Sequence, residues 1–234
     1  MIKMNALALF SAAAVSMSAV VTTASADVSA FYNWNTDAAA VPNGDGDYTR
    51  GNVGEYLSTN WQGKTALEIT ENPISGTPQV YIGIISGLSD GDVIDTTALG
   101  WGSGQDGEYS KVRLFGFYVG EDGNFANSGF NDRTTTSDYS TSDTEWTEIN
   151  AQWAFDASKG VGFMIEARIY SYSSTTTATT WMTDLAVTVN NDDATITLPD
   201  TFIPAPGAIA LLGMGGLVAR RPVSYTHLTL PTKA

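Results

Sequence analysis

Apolar and polar residues alternate along most of the interior of this 234-residue chain, and that period of two constrains its fold more than any other feature. Side chains leave a β-strand on opposite sides in turn, so alternation marks a strand with one buried face, whereas a helix repeats its apolar residues three and four apart. Glu145 to Phe155 sets Ile149, Ala151, Trp153 and Phe155 against Glu148, Asn150 and Gln152. Val161 to Tyr172 sets Val161, Phe163, Ile165, Ala167 and Ile169 against Met164, Glu166, Arg168, Tyr170 and Tyr172. Thr180 to Val189 places Trp181, Leu185, Val187 and Val189 inward, and Ala194 to Leu198 reads as a short final strand. Gln79 to Ser86 is rich in β-branched and aromatic residues, and Lys111 to Val119 is apolar on both faces toward its end, as a central strand would be. Turns built from Gly, Asp, Asn and Ser separate these runs, at 87–92 and 190–193 among others. The expected fold is therefore all-β, an antiparallel β-sandwich. Asn127 to Thr144 and Ser173 to Thr180, rich in Ser, Thr and Asp, read as long solvated loops.

The ends of the chain differ from this core. Lys3, an apolar stretch from Ala6 to Val21 and Ala24-Ser25-Ala26 before Asp27 read as a secretory signal peptide (1–26) cleaved after Ala26. Asp27 to Asp200 then suffices for one domain with a real core. With no cysteine in the chain, packing alone must hold an exported fold. All 25 acidic residues but only seven of the 11 basic ones lie between Asp27 and Asp200, a formal charge of −18 for that span. Nucleic acid and anionic membrane surfaces are poor partners for such a field, while neutral polysaccharide and cations are not opposed by it.

Pro204-Ala205-Pro206-Gly207 is followed by uncharged residues to Ala219 and then by Arg220-Arg221. The apolar run is shorter than the ~20 residues that span a bilayer core, and the arginines favour a cytoplasmic end. This layout over 201–222 resembles the PEP-CTERM sorting signal of Gram-negative bacteria, with Ala205 where that family usually carries Glu. The resemblance implies a short hydrophobic helix, an exosortase-type processing enzyme as partner, only transient membrane contact, and delivery to the cell surface or extracellular matrix. Val223 to Thr232 resembles a translated sequencing adapter, so 223–234 is set apart from the fold as an adapter-derived segment. The single histidine, His227, lies inside it.

Four pieces between Ala66 and Val189 resemble the galactose-binding-like jelly roll of carbohydrate-binding modules. They are Leu67-Glu68-Ile69, Val80-Tyr81-Ile82 running into 86–92, Trp146 opening a strand, and Trp181 to Val189 as a closing strand. The resemblance implies polysaccharide contact, and it implies that Asp184 helps hold a structural calcium.

The residues themselves argue against catalysis. No cysteine is present, and the one histidine falls in the adapter-like segment, so thiol and histidine-triad chemistry is unsupplied, as are the usual zinc and iron ligand sets. No Glu-x-Asp-x-x-Glu strand offers paired carboxylates for a glycosidase or lyase. The expectation is a non-enzyme with no catalytic residues. For calcium, Asn43-Gly44-Asp45-Gly46-Asp47 brings Asp45 and Asp47 to alternate positions of one loop, but Asp and Gly also dominate plain turns. For sugar, Trp101 in the glycine-rich stretch 100–104 and the Glu166, Arg168, Tyr170, Tyr172 face combine aromatic rings with polar groups. Such cross-strand mixtures also stabilise sheets with no ligand at all. Trp34, Trp61, Trp146, Trp153 and Trp181 read as core. The expected function is a surface-sorted, matrix-associated module contacting polysaccharide weakly, with a purely structural surface protein as the alternative and a carboxylate-dependent glycoside hydrolase or lyase as the third.

Overall fold

A computed structural model describes residues 26–71, 78–104, 110–130, 139–170 and 178–202. All of the expected signal peptide (1–26) but Ala26, residues 203–222 of the expected sorting segment (201–222) with Pro204, Pro206, Arg220 and Arg221, the adapter-like 223–234 and Tyr172 lie outside the described residues. Ala26 is exposed, two residues before the first strand.

The strands run in chain order as β1 Val28–Tyr32, β2 Thr49–Arg50, β3 Val53–Trp61, β4 Lys64–Glu71, β5 Gln79–Ser86 and β6 Val93–Trp101. They continue as β7 Lys111–Val119, β8 Phe125–Phe130, β9 Thr147–Ala154, β10 Gly162–Tyr170, β11 Ala178–Val189 and β12 Thr195–Thr197, before the single turn of α1, Pro199–Phe202. Two six-stranded sheets result. One has the order β3-β4-β11-β6-β9 with β1 on β11, and the other β12-β5-β10-β7-β8 with β2 on β5. All the strand pairings are antiparallel.

The eight strands β4 to β11 contain a definite wrapping. They fall into two four-stranded sheets, β4-β11-β6-β9 and β5-β10-β7-β8, in which the first strand pairs near the last and the second near the penultimate. Two nested Greek keys of this kind make a jelly roll. The expected antiparallel β-sandwich is therefore the observed fold.

The inner faces of the two sheets meet in one apolar cluster that includes Leu67, Ile82, Leu114, Trp153, Phe163, Ile165 and Leu185. Trp153 from one sheet and Phe163 from the other have ring centroids 5.1 Å apart, and Tyr118 lies 5.6 Å from Phe163. Ile149, Ala151, Trp153 and Phe155 are all buried, as their alternation demands.

Three details differ from the sequence expectations. First, Asn127 to Phe130 belongs to β8 and Ala178 to Thr180 to β11, so both expected loops are shorter than their composition suggests. Second, Trp181 faces away from the core. The register of β11 against β6 shifts between Thr183 and Ala186, where Asp184 has φ +50°, so the inward parity changes from Met182 to Leu185. Third, Val161 lies before β10 and is 53% exposed, so the inward row of that strand starts at Phe163.

Candidate functional site

The inward side chains of β5, β10 and β7 leave their alternate neighbours on the outer face of that sheet, and the register decides which of these meet. Arg50 on β2 is the Cα partner of Gln79 on β5, Gln79 of Arg168 on β10, and Arg168 of Arg113 on β7. One row of long polar side chains thus crosses four strands, which at ~4.8 Å per strand spacing makes a line roughly 14 Å long. The next row sets Tyr81, Glu166 and Phe115 side by side, and on the other flank Tyr170 is opposite Lys111.

Aromatic rings separate the cations. The Arg168 guanidinium lies 3.6 Å from the Phe115 ring centroid, and Arg113 lies 4.8 Å from Phe115, 5.2 Å from Tyr139 and 5.1 Å from Tyr170. Arg50 approaches Phe125 at 5.3 Å, and the Lys111 Nζ approaches Tyr139 at 5.8 Å. Tyr139 and Tyr170 meet edge to face at 5.1 Å. Cation–π contacts of this kind attract, most strongly when water is excluded. The centre is dry: Arg113 and Arg168 are each 7% exposed and Glu166 is fully buried. Arg50, Lys111, Tyr139 and Tyr170 form a rim that water reaches.

The hydrogen bonding of the centre is incomplete. Arg113 Nη1 donates to the Tyr139 hydroxyl at 3.0 Å, and Arg168 Nη2 reaches Glu166 Oε2 at 3.4 Å. The Nε of both arginines, Glu166 Oε1 and Gln79 Oε1 are buried with no partner among the described residues. Burial pushes Glu166 up to about 8, with the adjacent Arg168 opposing the rise. Burial lowers Arg168, Glu166 counters that, and Arg113 adds to it. Burial likewise raises Tyr139, against the pull of Arg113.

Three of the five expected sugar-contacting residues, Glu166, Arg168 and Tyr170, therefore meet on this face, and Tyr172 lies outside the described residues. Trp101 does not join them. It ends β6 on the other sheet, 4% exposed, and is not part of an open loop. Its glycine neighbour misled: a Cβ on Gly100 would stand 2.9 Å from both the Ser140 and Val112 side chains, so glycine serves close packing there. Trp101 packs with Trp181, Trp61 and Trp146 on the outer side of its sheet. Trp61 and Trp181 stack in parallel at 3.8 Å, and Trp181 Nε1 donates to Glu68 at 2.9 Å. Of the expected core tryptophans, Trp34 and Trp153 are in the main cluster, while Trp61, Trp146 and Trp181 belong to this separate one. The signal that sequence reading missed is Arg113, Gln79, Tyr139 and Arg50, which only strand register brings to Arg168.

The three expected metal ligands are dispersed. Asp184, on the bulge of β11, is held by Lys64 Nζ at 2.6 Å, so an incoming cation would compete with an ammonium group. Asp45 and Asp47 are exposed in a turn whose backbone amides donate to Asn43 Oδ1, the arrangement of an Asx turn. Among the described residues no three acidic or histidine side chains gather in a manner that could hold a metal ion.

By fold the chain is thus a jelly-roll β-sandwich with a cationic, aromatic outer face. No protein-family model and no curated protein sequence matches it. Solved structures with a similar fold include the CBM22-1 xylan-binding domain of Paenibacillus barcinonensis Xyn10C, at 11% identity and a TM-score of 0.47, covering 72% of this chain and 99% of that one. A mannan-recognising module, TmCBM27, is similar at 13% identity and a TM-score of 0.34, covering 70% of this chain and 98% of that one. The CBM22-1-GH10 modules of Clostridium thermocellum xylanase 10B, complexed with xylohexaose, align at 14% identity and a TM-score of 0.39 over 67% of this chain and 28% of that one. These neighbours are carbohydrate-binding modules or contain one.

Proposed function

We propose that this chain is an exported, non-enzymatic polysaccharide-binding module whose ligand face is the outer side of the β5-β10-β7 sheet. The observation that carries this reading is the row Arg50–Gln79–Arg168–Arg113 beside Tyr139 and Tyr170, with buried donors left unmatched among the described residues. Rings that stack on sugar and donors that orient its hydroxyls are what a glycan site needs, and polar atoms kept dry and unpaired are costly unless a ligand meets them. Glu166 is the one carboxylate among the strand residues of β5, β10 and β7, whereas glycoside hydrolysis uses a pair. The leader and the tail layout support export and exosortase-type sorting to the cell surface or matrix.

The test is retention on insoluble and immobilised glycans. Wild-type protein should be retained on at least one, and a Tyr139→Ala/Tyr170→Ala double variant should lose about tenfold or more in affinity with its fold intact by circular dichroism. No retention on any glycan would leave a purely structural surface protein, and release of reducing sugar would restore the enzyme.

A further inference from the structure

We infer that the ligand of this face carries oxyanions: an acidic polysaccharide, bearing carboxylate or sulfate groups, is held by Arg113 and Arg168. This rests on the binding role proposed above and specifies its ligand class. The net charge of −18 over Asp27 to Asp200 argued for neutral glycans, but the distribution of charge reverses that argument locally. Six of the seven cations in that span are described. Two of them stand elsewhere and have carboxylate partners, Lys64 with Asp184 and Lys159 with Asp156. The other four, Arg50, Lys111, Arg113 and Arg168, gather on this one face, where Glu166, 3.4 Å from Arg168, is the lone acid of the three strands and shares the face with all four.

Two features of the arginine pair point to an anion. Arg113 and Arg168 are directly opposite on neighbouring strands, and like charges so placed repel. Each also keeps a buried Nε without a partner among the described residues. An oxyanion between them would remove the repulsion and accept from both guanidinium edges, which present N–H donors in the planar fork suited to carboxylate and sulfate. Gln79 and the rim cations extend the same row toward Arg50 on one side and Lys111 on the other. A polymer with a charge on successive sugars could therefore lie along the row.

Binding of the full chain should be measured at about 0.15 M salt, where a screening length of roughly 8 Å confines the repulsion from the rest of the acidic domain. The probes are polygalacturonate with its carboxyl-reduced form, and dextran sulfate with dextran. Tighter binding of a charged polymer than of its neutral counterpart by about tenfold or more supports the inference, and whichever pair shows it names the anion. Arg168→Gln and Arg113→Gln should each abolish most of that preference. Because both sites are buried, the rim variant Arg50→Gln/Lys111→Gln gives a second reading and should cut the preference severalfold. Lys64→Gln, on the other sheet, should leave it unchanged. Equal or weaker binding of the charged polymers overturns the anionic ligand while leaving polysaccharide binding in place. Failure to bind any of the four, and any neutral glycan, overturns both.

Discussion

Replacing Trp153 with alanine is expected to lower the thermal midpoint by about 10–15 °C, the largest loss of stability from a single side chain in this fold. Trp153 is fully buried, on β9 opposite Ile94, and its ring packs 5.1 Å from that of Phe163 on the facing sheet. It therefore joins the two sheets at a point where no disulfide assists, since the chain has no cysteine. Truncating a buried tryptophan removes its transfer energy and leaves a cavity, together about 3–5 kcal/mol. For a domain of this size each kcal/mol moves the midpoint by roughly 2–4 °C. Differential scanning calorimetry of Trp153→Ala beside Phe31→Ala would check the argument. Phe31, 59% exposed on β1, should cost within about 0.5 kcal/mol. A Trp153→Ala midpoint within a few degrees of wild type would mean that the sheets do not meet through this ring.

The strands legible in the sequence are those in which packing demands large apolar residues every second position. β9, β10 and β5 are of this kind, and all three line the core. β6 was not legible, because beyond Ile94 its inward residues Thr96, Ala98 and Gly100 are small or polar. They make room where the sheets approach closely, so the strand shows no apolar alternation. β3 was hidden for the opposite reason. It is an edge strand whose residues are half-buried or exposed throughout, and no face of it is strongly selected. The candidate face was half legible. Glu166, Arg168 and Tyr170 lie on one strand, so alternation alone puts them on one side. Their partners Arg50, Gln79 and Arg113 come from strands distant in sequence, and a register between distant strands has no local signature. Trp101 was misread through its glycines, and Trp181 through the bulge at Asp184, which a pattern of strict alternation cannot anticipate.

Exchanging Glu166 for glutamine is expected to stabilise the ligand-free protein at pH 9 while changing little at pH 5. Glu166 is fully buried on β10 between Tyr81 and Phe115, with Arg168 at 3.4 Å, Arg113 across on β7 and Arg50 reaching in from β2. Removing its carboxylate from water outweighs the attraction of these cations and pushes it up to about 8 from the ordinary 4.5. Between these values the unfolded chain has lost the proton and the folded chain keeps it. Folding then takes up a proton, so stability falls as pH rises through this window, and levels off above it. Below about 4.5 both states are protonated, and the contribution is fully present. Glutamine is neutral in both states and has no such slope. The rise from 4.5 to about 8 corresponds to about 5 kcal/mol at high pH, or roughly 10–20 °C in midpoint. Melts of the two proteins from pH 5 to pH 9 separate the possibilities, because every other titrating group is common to both and cancels in the difference. If Glu166→Gln were instead destabilising at pH 9, the carboxylate would be ionised and serving as the counter-ion of Arg168. The arginine row would then already hold a negative charge of its own, and the demand it makes on an external anion would be correspondingly smaller.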